Sequence, residues 1–306
     1  MSSKKNKIIV ILGPTASGKT KLAVELAYKF NGEIVSADSR QVYKYMDIGT
    51  GKDLCEYNIK NKKIPYHCIN IVHPNTEFNL AKFQKKTNKA IKDILKRNKL
   101  PIIVGGSGLY LQAIVDGYDL SHFGVDKKIR EKLEKLNISQ LLKKIQKLNY
   151  NFSLKINKSD IKNKRRLIRY VEILSNSKIL KNKKNKNYDF ILIGLKFSKE
   201  ILRKRIYKRL IERLEKENMV KEVEILHKKY RVSWKRLESF GLEYKYISLY
   251  LRKKINYDEM TERLNIAIRQ FAKKQISWFK RWEKQGIKIN WIKRDCRPKK
   301  IINLIN

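Results

Sequence analysis

The segment 13–20, GPTASGKT, has the residue types and the spacing of a loop that binds phosphate groups. Its glycines, Gly13 and Gly18, allow backbone N–H groups to point inward around an anion. Lys19 adds a mobile positive charge, and the hydroxyl of Thr20 can bind a Mg²⁺ ion. We therefore predict a phosphate site with a magnesium position at Thr20, but the loop does not identify the molecule that carries the phosphates. The predicted phosphate ligands are Gly13, Pro14, Thr15, Ala16, Ser17, Gly18, Lys19 and Thr20.

A second candidate group is the carboxylate of Asp38, which closes the second predicted strand in the sequence SADSRQVY. If that strand lies beside the first in a parallel sheet, Asp38 emerges at the same edge as the phosphate loop. There it could hold Mg²⁺ or act as a base on a nucleophile. It could also simply cap the next turn together with Ser39. Spacing alone leaves these three alternatives open.

The elements around these residues are typical of an α/β fold. Apolar runs alternate with stretches of helical apolar spacing, and the first such stretch begins at the phosphate loop, so an anion would lie at the positive end of a helix. This alternation predicts a P-loop-type parallel sheet flanked by helices. The predicted strands are 7–12, 32–39, 68–72, 100–110 and 189–197, and long basic helices are expected after residue 198.

The alternation stops between about residues 121 and 186, where three stretches have helical apolar spacing. The third stretch, 160–178, is predicted to begin at an N-cap formed by Asp160 or Ser159. We therefore expect two domains. A P-loop α/β core with C-terminal helices would comprise 1–120 and 187–306, and a helical insertion would comprise 121–186.

The composition indicates an affinity for polyanions. Lys and Arg number 72 against 29 Asp and Glu, which gives a formal net charge of +43. Such a field attracts nucleic acids and speeds their encounter with the protein. Lys, Asn, Ile and Tyr are all abundant, as expected of an AT-rich genome, so the positions of the charges are more informative than their total.

The apolar runs are short, and none approaches the roughly 18 residues that a membrane-spanning helix requires. The three cysteines, Cys55, Cys68 and Cys296, form no CxxC pair. We expect a cytoplasmic protein with reduced thiols and no zinc site.

Four segments, GPTASGKT, SADSRQVYKYMDIGTGK, PIIVGGSGLYL and RQFAKKQISWFKRW, occur in this order. Together they resemble the bacterial tRNA dimethylallyltransferase (tRNA isopentenyltransferase) family over nearly the whole chain. The second segment is not shared by ordinary phosphate-loop kinases. The resemblance implies transfer of a dimethylallyl group from dimethylallyl pyrophosphate to N6 of adenine 37, in tRNAs that read codons starting with U. It also implies a Mg²⁺ cofactor and a helical insertion that helps to bind tRNA. The sequence does not fix the oligomeric state, and we expect a monomer.

Under this resemblance, the phosphate loop holds the pyrophosphate leaving group, and Asp38 removes the proton from the adenine N6. Thr15 and Arg209 match family positions that lie near the donor. The alternative for Arg209 is a solvated face of a basic helix.

The resemblance further implies residues that contact the tRNA. Gln41 could read the edges of adenine in a bidentate way, and Ser107 supplies a hydroxyl where the family usually has Thr. Arg166 and Arg169 share one helix face, which could be an unpaired basic surface for phosphates or ordinary surface charge. The implied tRNA contacts are Asp38, Ser39, Arg40, Gln41, Ser107, Arg130, Arg165, Arg166, Arg169, Lys273, Lys274, Gln275, Trp278 and Lys280.

The segment RQFAKKQISWFKRW mixes basic and aromatic residues, a combination that suits single-stranded RNA. Its helical spacing assigns most of the aromatic side chains to the core and the Lys/Gln face to RNA. One departure lies nearby. The family usually has a GY pair in this region, whereas Gly241 is followed here by Leu242 and Glu243, which leaves the RNA contacts at 239–244 open.

Three other functions are compatible with parts of the sequence. A kinase for a nucleotide or small metabolite would need an adenine pocket and a lid with catalytic arginines. A prenyltransferase acting on free AMP would have no use for the basic helical insertion. A nucleic-acid-binding NTPase would transfer no group at all.

Overall fold

The computed structural model describes residues 6–118, 120, 127–175, 187–293, 301 and 303–304. The chain divides into two compact units. The larger unit comprises Met1–Asp116 and Asn185–Asn306, and the smaller unit comprises Gly117–Lys184.

The larger unit contains a six-stranded parallel sheet with the strand order β5-β2-β6-β1-β7-β8. The predicted parallel α/β core is therefore confirmed. The remaining two strands form a short antiparallel hairpin. The strands are β1 (Asn6–Leu12), β2 (Gly32–Ser36), β3 (Asn58–Ile59), β4 (Lys62–Lys63), β5 (Tyr66–His67), β6 (Leu100–Gly105), β7 (Tyr188–Lys196) and β8 (Asn290–Lys293).

Helices cover the sheet and form the rest of the described structure. In the larger unit they are α1 (Lys19–Lys29), α2 (Leu80–Lys96), α3 (Gly108–Val115), α9 (Lys199–Glu215), α10 (Met219–Lys228), α11 (Trp234–Phe240), α12 (Leu242–Leu251) and α13 (Tyr257–Lys284). A 3₁₀ turn lies at Leu54–Tyr57.

The central strand β1 is buried on both faces, as expected for a parallel sheet with helices on each side. Ile8 and Val10 pack into a cluster with side chains of α2, α3 and α13. Ile9 and Ile11 point to the opposite face and pack against α1. A third cluster joins the C-terminal helices α9 to α13. The sheet is therefore held from both sides, with the loop after β1 at its carboxyl edge.

The condition stated for Asp38, that the first two strands lie side by side, is not met, because β6 lies between β1 and β2. The expected position of Asp38 does not require the two strands to be neighbours. All six strands are parallel, so the residues that follow β1, β2 and β6 emerge at one edge. Asp38 lies two residues beyond the end of β2.

Two other predicted elements differ. The strand predicted at 68–72 is not formed, since β5 ends at His67 and Val72 makes only an isolated bridge with Tyr43. The long basic helix predicted after residue 198 is two helices, α9 and α10. Asn218 has φ 58° at the N-cap of α10, and this left-handed conformation cannot continue a right-handed helix.

The smaller unit is helical, with a core that includes Leu141, Ile145 and Leu167. The predicted N-cap at Asp160 or Ser159 is wrong. Asn157 caps the short helix α7 by accepting bonds from the backbone N–H groups of Ser159 and Asp160. The end of the predicted helix, 176–178, lies outside the described residues. The helices are α4 (Lys127–Lys135), α5 (Ile138–Leu148), α6 (Tyr150–Ser153), α7 (Lys158–Ile161) and α8 (Lys164–Ser175).

Within the described ranges, no helix combines the length and the apolar character needed to cross a membrane. Cys55 is exposed and Cys68 is buried, and both are free thiols. Cys296 lies outside the described residues.

Candidate active site

A cavity of about 690 Å³ opens at the carboxyl edge of the sheet, within the larger unit. Its wall is formed by the phosphate loop, by the segments that follow β2 and β6, by one face of α9, by residues 240–244 and by α13. The predicted site residues in this wall are Thr15, Ala16, Ser17, Gly18, Lys19, Thr20, Asp38, Ser39, Arg40, Gln41, Arg209 and Gln275. Gly13, Pro14, Ser107, Lys273, Lys274, Trp278 and Lys280 are not among the lining residues.

The phosphate loop has the backbone geometry that its glycine pattern predicts. Gly18 is the N-cap of α1 with φ 79°, a conformation in which glycine carries no steric cost. Lys19 Nζ donates to the carbonyl of Pro14 at 2.6 Å and to Ser17 Oγ at 3.4 Å. Burial and the nearby Arg209 lower the pKa of Lys19 to about 7, although Asp38 acts in the opposite direction. The free loop therefore holds a lysine that titrates near neutral pH.

Helix α9 presents a row of arginines to the cavity. Arg205 Nε donates to the carbonyl of Ala16 at 2.7 Å, and Arg209 donates to Thr15 Oγ1. Arg213 is buried and donates to Asp53 at 2.9 Å. These arginines recur every four residues and so share one helix face. That spacing would have predicted Arg205 and Arg213, which the sequence analysis missed.

The location of Arg209 is at the cavity, not on a solvated helix face. Burial, with Arg213 close by, lowers the pKa of Arg209 to about 10. The guanidinium therefore stays charged at neutral pH but is poorly solvated. A poorly solvated cation at the phosphate loop is suited to bind an anionic ligand.

Asp38 lies in the cavity wall with Lys19 and Thr20. Its Oδ1 accepts a bond from the backbone N–H of Arg40 at 2.8 Å, so it also fixes the local turn. The capping role and a role in the cavity are therefore compatible. Ser107 supports the same segment, since its Oγ accepts a 3.4 Å bond from the N–H of Ser39.

The amide of Gln41 is already bonded within the protein. It accepts from Ser36 Oγ at 2.7 Å and donates to the carbonyl of Gly51 at 2.9 Å. Each bond uses one of the two acceptor or donor sites of the amide, so the bonds fix the orientation of Gln41 without using its full capacity. Gln41 thereby joins the end of β2 to the segment around Gly51 while it lines the cavity.

Gln275 points inward and does not belong to an exposed Lys/Gln face. It is 6% exposed, accepts from the N–H of Thr15 at 2.8 Å and donates to the carbonyl of Gly106 at 2.9 Å. A Cβ at Gly106 would lie 2.2 Å from its Nε2, so only glycine permits this contact. Helix α13 is thereby bonded directly to the phosphate loop.

The rest of helix α13 agrees better with the prediction that its aromatic residues are buried and its lysines exposed. Phe279 and Trp282 are buried in the core, which confirms the prediction for these aromatic residues. Trp278 is half-buried, and its Nε1 donates to Gln112 at 3.0 Å. The exposed positions on this helix include Lys273, Lys274 and Lys280.

Glu222 holds the segment 47–49 of the cavity wall, a role that sequence analysis did not predict. Its carboxylate accepts the backbone N–H groups of Asp47, Ile48 and Gly49 at 2.7, 2.6 and 3.1 Å. The hydroxyl of Tyr244 donates to the same carboxylate at 2.8 Å. Three of these bonds hold the backbone of 47–49, and the fourth orients the carboxylate that makes them. Glu222 lies 173 to 175 residues away from this segment in sequence.

The segment 241–243, which departs from the GY pair that is usual in the family, places a further acidic residue in the cavity wall. Gly241 and Leu242 both have positive φ, at 76° and 41°, and Glu243 lines the cavity. Burial raises the pKa of Glu243, while Arg213 and Arg209 act in the opposite direction. This carboxyl group faces the same arginines that surround the phosphate loop.

The predicted arginines at 130–169 belong to the smaller unit, and their face is not unpaired. Arg166 pairs with Asp160, and Arg130 and Arg169 both pair with Glu172, at 3.2 and 2.9 Å. The face is not the unpaired one that was expected, because carboxylates of α7 and α8 pair with these arginines. The arginines are partly exposed, whereas the carboxylates of Asp160 and Glu172 are buried. A phosphate that took over these arginines would therefore leave buried carboxylates without their charge partners. Arg165 is exposed.

The oxygen donors in the wall fit a Mg²⁺ ion bound mainly through phosphates. Thr20 and Asp38 line the same cavity. Among the described residues, no group of three or more His, Cys, Asp or Glu is arranged to hold a metal. Mg²⁺ commonly takes one or two protein oxygens together with substrate phosphates, and this wall offers such a set.

Comparisons with known proteins agree with this geometry. The sequence model of a family described as IPP transferase matches residues 41–282. The chain is 44% identical to "tRNA dimethylallyltransferase 1" of Syntrophus aciditrophicus (strain SB), over 94% of each chain. The structure resembles the full-length tRNA isopentenylpyrophosphate transferase of Bacillus halodurans, with a TM-score of 0.69, 30% identity and coverage of 98% and 94%. It also resembles a eukaryotic dimethylallyltransferase acting on tRNA, with a TM-score of 0.80, 27% identity and coverage of 94% and 74%.

Proposed function

The chain belongs to the IPP transferase family, and we propose that it transfers a dimethylallyl group from dimethylallyl pyrophosphate to N6 of adenine 37 in tRNA. The observation that carries this proposal is the convergence of Asp38, Lys19 and Arg209 on one cavity. That cavity combines a cationic phosphate cradle with a carboxylate. The tRNAs that read codons starting with U are the proposed substrates, and the proposed enzyme is a cytoplasmic monomer.

The cationic half of the cavity suits the donor. As the allylic C1–O bond breaks, its electron pair leaves with the pyrophosphate, and negative charge builds on the leaving oxygens. Loop N–H groups, Lys19 and Arg209 would stabilise that charge. Allylic carbon tolerates cationic character, so no covalent enzyme intermediate is required.

Mg²⁺, held by Thr20 and phosphate oxygens, would neutralise further charge on the pyrophosphate. The residues present fit this role because the Thr20 hydroxyl lines the cavity beside the loop. Glu243 and Asp53 line the same cavity as the arginines, and Asp53 accepts a bond from Arg213, so acidic groups balance part of the arginine charge in the free cavity.

The carboxylate of Asp38 suits the acceptor. The N6 amine is a weak nucleophile because its lone pair is delocalised into the ring. As the new C1–N6 bond forms, one N6 proton would pass to Asp38, which acts as general base. Adenine 37 must leave the stacked anticodon loop to reach the cavity, and new protein contacts must compensate for the lost stacking.

The family assignment favours this function over the alternatives. The relatives that the chain resembles are named as tRNA dimethylallyltransferases or isopentenyltransferases, not as kinases. A prenyltransferase acting on free AMP would gain nothing from the exposed arginines of the smaller unit. An NTPase that transfers no group would not require a carboxylate such as Asp38 beside the phosphate loop.

The proposal is tested by mass spectrometry of anticodon-loop nucleosides after purified protein has been incubated with tRNA, Mg²⁺ and dimethylallyl pyrophosphate. We expect N6-isopentenyladenosine at position 37 only when the donor is present. A parallel incubation with radiolabelled ATP tests the kinase alternative. Label transfer from ATP without any prenyl donor would overturn the proposal.

The lowered pKa of Lys19 predicts proton uptake when the donor binds. At pH 8 the free site holds mostly neutral Lys19, because the group is protonated only as the pH falls through about 7. A bound diphosphate raises the pKa of an adjacent lysine, so binding should take up about one proton. Calorimetric titration of dimethylallyl pyrophosphate, without tRNA, in two buffers of different ionisation enthalpy measures this number.

The matched control is Lys19→Arg, which keeps a charge that does not titrate in this range. The variant should bind the donor without proton uptake. Equal heats for the wild-type protein in both buffers would contradict the prediction.

A further inference from the structure

A cluster of aromatic rings lies on the larger unit, and none of its members is among the residues that line the cavity. Tyr45 and Tyr230 stack with ring centroids 3.8 Å apart and an interplanar angle of 10°. His73 approaches both rings edge-on, at 6.1 Å and 6.4 Å. We call Tyr45, Tyr230 and His73 the aromatic platform. Tyr45 is 41% exposed, and since Tyr230 covers one face of its ring, the exposed area belongs to the opposite face and the edge.

The backbone at Tyr45 is strained. Its φ is 65°, in the left-handed region that bulky side chains rarely adopt. Strain of this kind persists only where the surrounding structure enforces it, and it concentrates at functional sites. Here the neighbours are fixed, because the N–H of Lys44 bonds to Val72 and the buried Lys52 bonds to the carbonyl of Tyr43. A glycine would satisfy this backbone more easily, so the backbone conformation gives no reason for a tyrosine at this position.

Positive charges surround the platform. Lys229 Nζ lies 5.7 Å from the centroid of the Tyr230 ring. Lys44 and Arg231, the chain neighbours of the two tyrosines, are exposed. Exposed aromatic faces among cations are the features by which proteins bind unpaired nucleotides, since bases stack on the rings and phosphates pair with the charges.

A set of contacts runs from the cavity to Tyr43, which lies close to the platform in sequence. Arg40 and Phe240 line the cavity, and the Arg40 guanidinium lies 5.2 Å from the Phe240 ring. Phe240 packs edge-on against Tyr43 at 4.9 Å, and Arg236 lies over both of these rings. Tyr43 is two residues before Tyr45. An RNA strand with one base in the cavity could therefore place a nearby base on the platform.

We propose that the aromatic platform stacks an unpaired base of the anticodon loop close to the target adenine, with Tyr45 as the contacting ring. The proposal rests on the proposed function, and it supplies a contact that the reaction needs. When adenine 37 leaves the loop, its neighbours lose a stacking partner. The exposed face of Tyr45 replaces that partner, and the flanking cations pair with the phosphates.

The test measures binding of an anticodon stem-loop RNA to the full chain without donor. Tyr45→Gly removes the ring and should weaken binding about 10- to 100-fold. Tyr45→Phe keeps the ring and should bind as the wild type does. Glycine also relieves the positive φ, which offsets the lost stack with Tyr230, so the thermal midpoint of Tyr45→Gly should stay close to that of the wild type.

The chain offers a matched control in Tyr28. This tyrosine is 36% exposed and has Lys60 and Lys62 near its ring, at 5.6 and 6.0 Å. It lies at the end of α1 remote from the phosphate loop. Tyr28→Ala should leave RNA binding unchanged, which separates the platform from any exposed tyrosine with cationic neighbours.

Two further readouts distinguish stacking from charge. The salt dependence of binding should keep its slope in Tyr45→Gly, because stacking releases no counterions, whereas Lys229→Ala should reduce the slope by about one. 2-Aminopurine, placed singly at each loop position, should be quenched by the wild-type protein at one position near adenine 37. That quenching should be lost in Tyr45→Gly and retained in Tyr45→Phe.

The outcomes separate this proposal from the proposed function. Wild-type protein that neither binds nor modifies the RNA would overturn both. If the wild type modifies the RNA and Tyr45→Gly binds it equally well, the platform alone is overturned. Equal losses in Tyr45→Phe and Tyr45→Gly, or in Tyr28→Ala, would also overturn it, because the Tyr45 ring would then not be the contacting group.

Discussion

Asp38→Asn should lower the rate of prenyl transfer by about 10²- to 10⁴-fold, the range that a general base supplies. The substitution removes the negative charge of the side chain and keeps its shape. The amide oxygen of asparagine can still accept the 2.8 Å bond from the N–H of Arg40, so the turn at 38–40 is preserved. Single-turnover transfer to tRNA, at saturating donor and at several pH values, measures the loss.

Binding of tRNA should survive this substitution, because no cationic contact is removed. Donor binding, measured by calorimetry, should survive as well. Asp93→Asn, a change at a surface carboxylate of α2 outside the cavity wall, is the control for loss of one acidic charge. Unchanged transfer by Asp38→Asn would exclude Asp38 as the base and would leave it only the turn that it caps.

Arg209→Met should lower kcat/KM by about 10²- to 10³-fold, which is the usual effect of removing one donor to a developing anion. Arg209 bonds to Thr15 in the loop and lies with Lys19 in the same wall. Its location in the cavity wall limits its solvation, and burial lowers the pKa of its guanidinium to about 10. A cation that water stabilises weakly gains more from the pyrophosphate charge.

Two variants define what Arg209 supplies. Arg209→Lys keeps the charge but loses the planar fork, so it should recover only part of the activity. Lys204→Met removes a cation from the same helix at a position that is 78% exposed and should have no effect. A normal rate in Arg209→Met with normal donor affinity would contradict the assignment of this residue to the pyrophosphate.

The sequence predicted the parts of the site that depend on local pattern. The phosphate loop is recognisable because strand, glycine spacing and helix are contiguous, and the parallel sheet follows from alternating elements. The position of Asp38 at the cavity could also be predicted from the sequence, because all strands of the six-stranded sheet run in the same direction. The strand order itself was not predictable from pattern, and β6, not β2, lies beside β1.

The remaining parts of the site depend on contacts between distant residues. Glu222 captures the N–H groups of 47–49 from 173 to 175 residues away. Gln41 and Gln275 were predicted to face RNA because their types suit it, yet both amides bond to backbone groups of the cavity wall. A side-chain amide serves either purpose equally well, and only the packing decides between them.

The bond between Thr15 and Gln275 joins residues 260 positions apart, and this has a consequence for synthesis. The phosphate loop leaves the ribosome well before the helix that carries Gln275. A nascent chain halted before α13 would contain the phosphate loop without the bond from Thr15 to Gln275. We expect such a chain to bind a diphosphate less tightly than the finished chain does. We therefore expect catalytic competence only after α13 has been made.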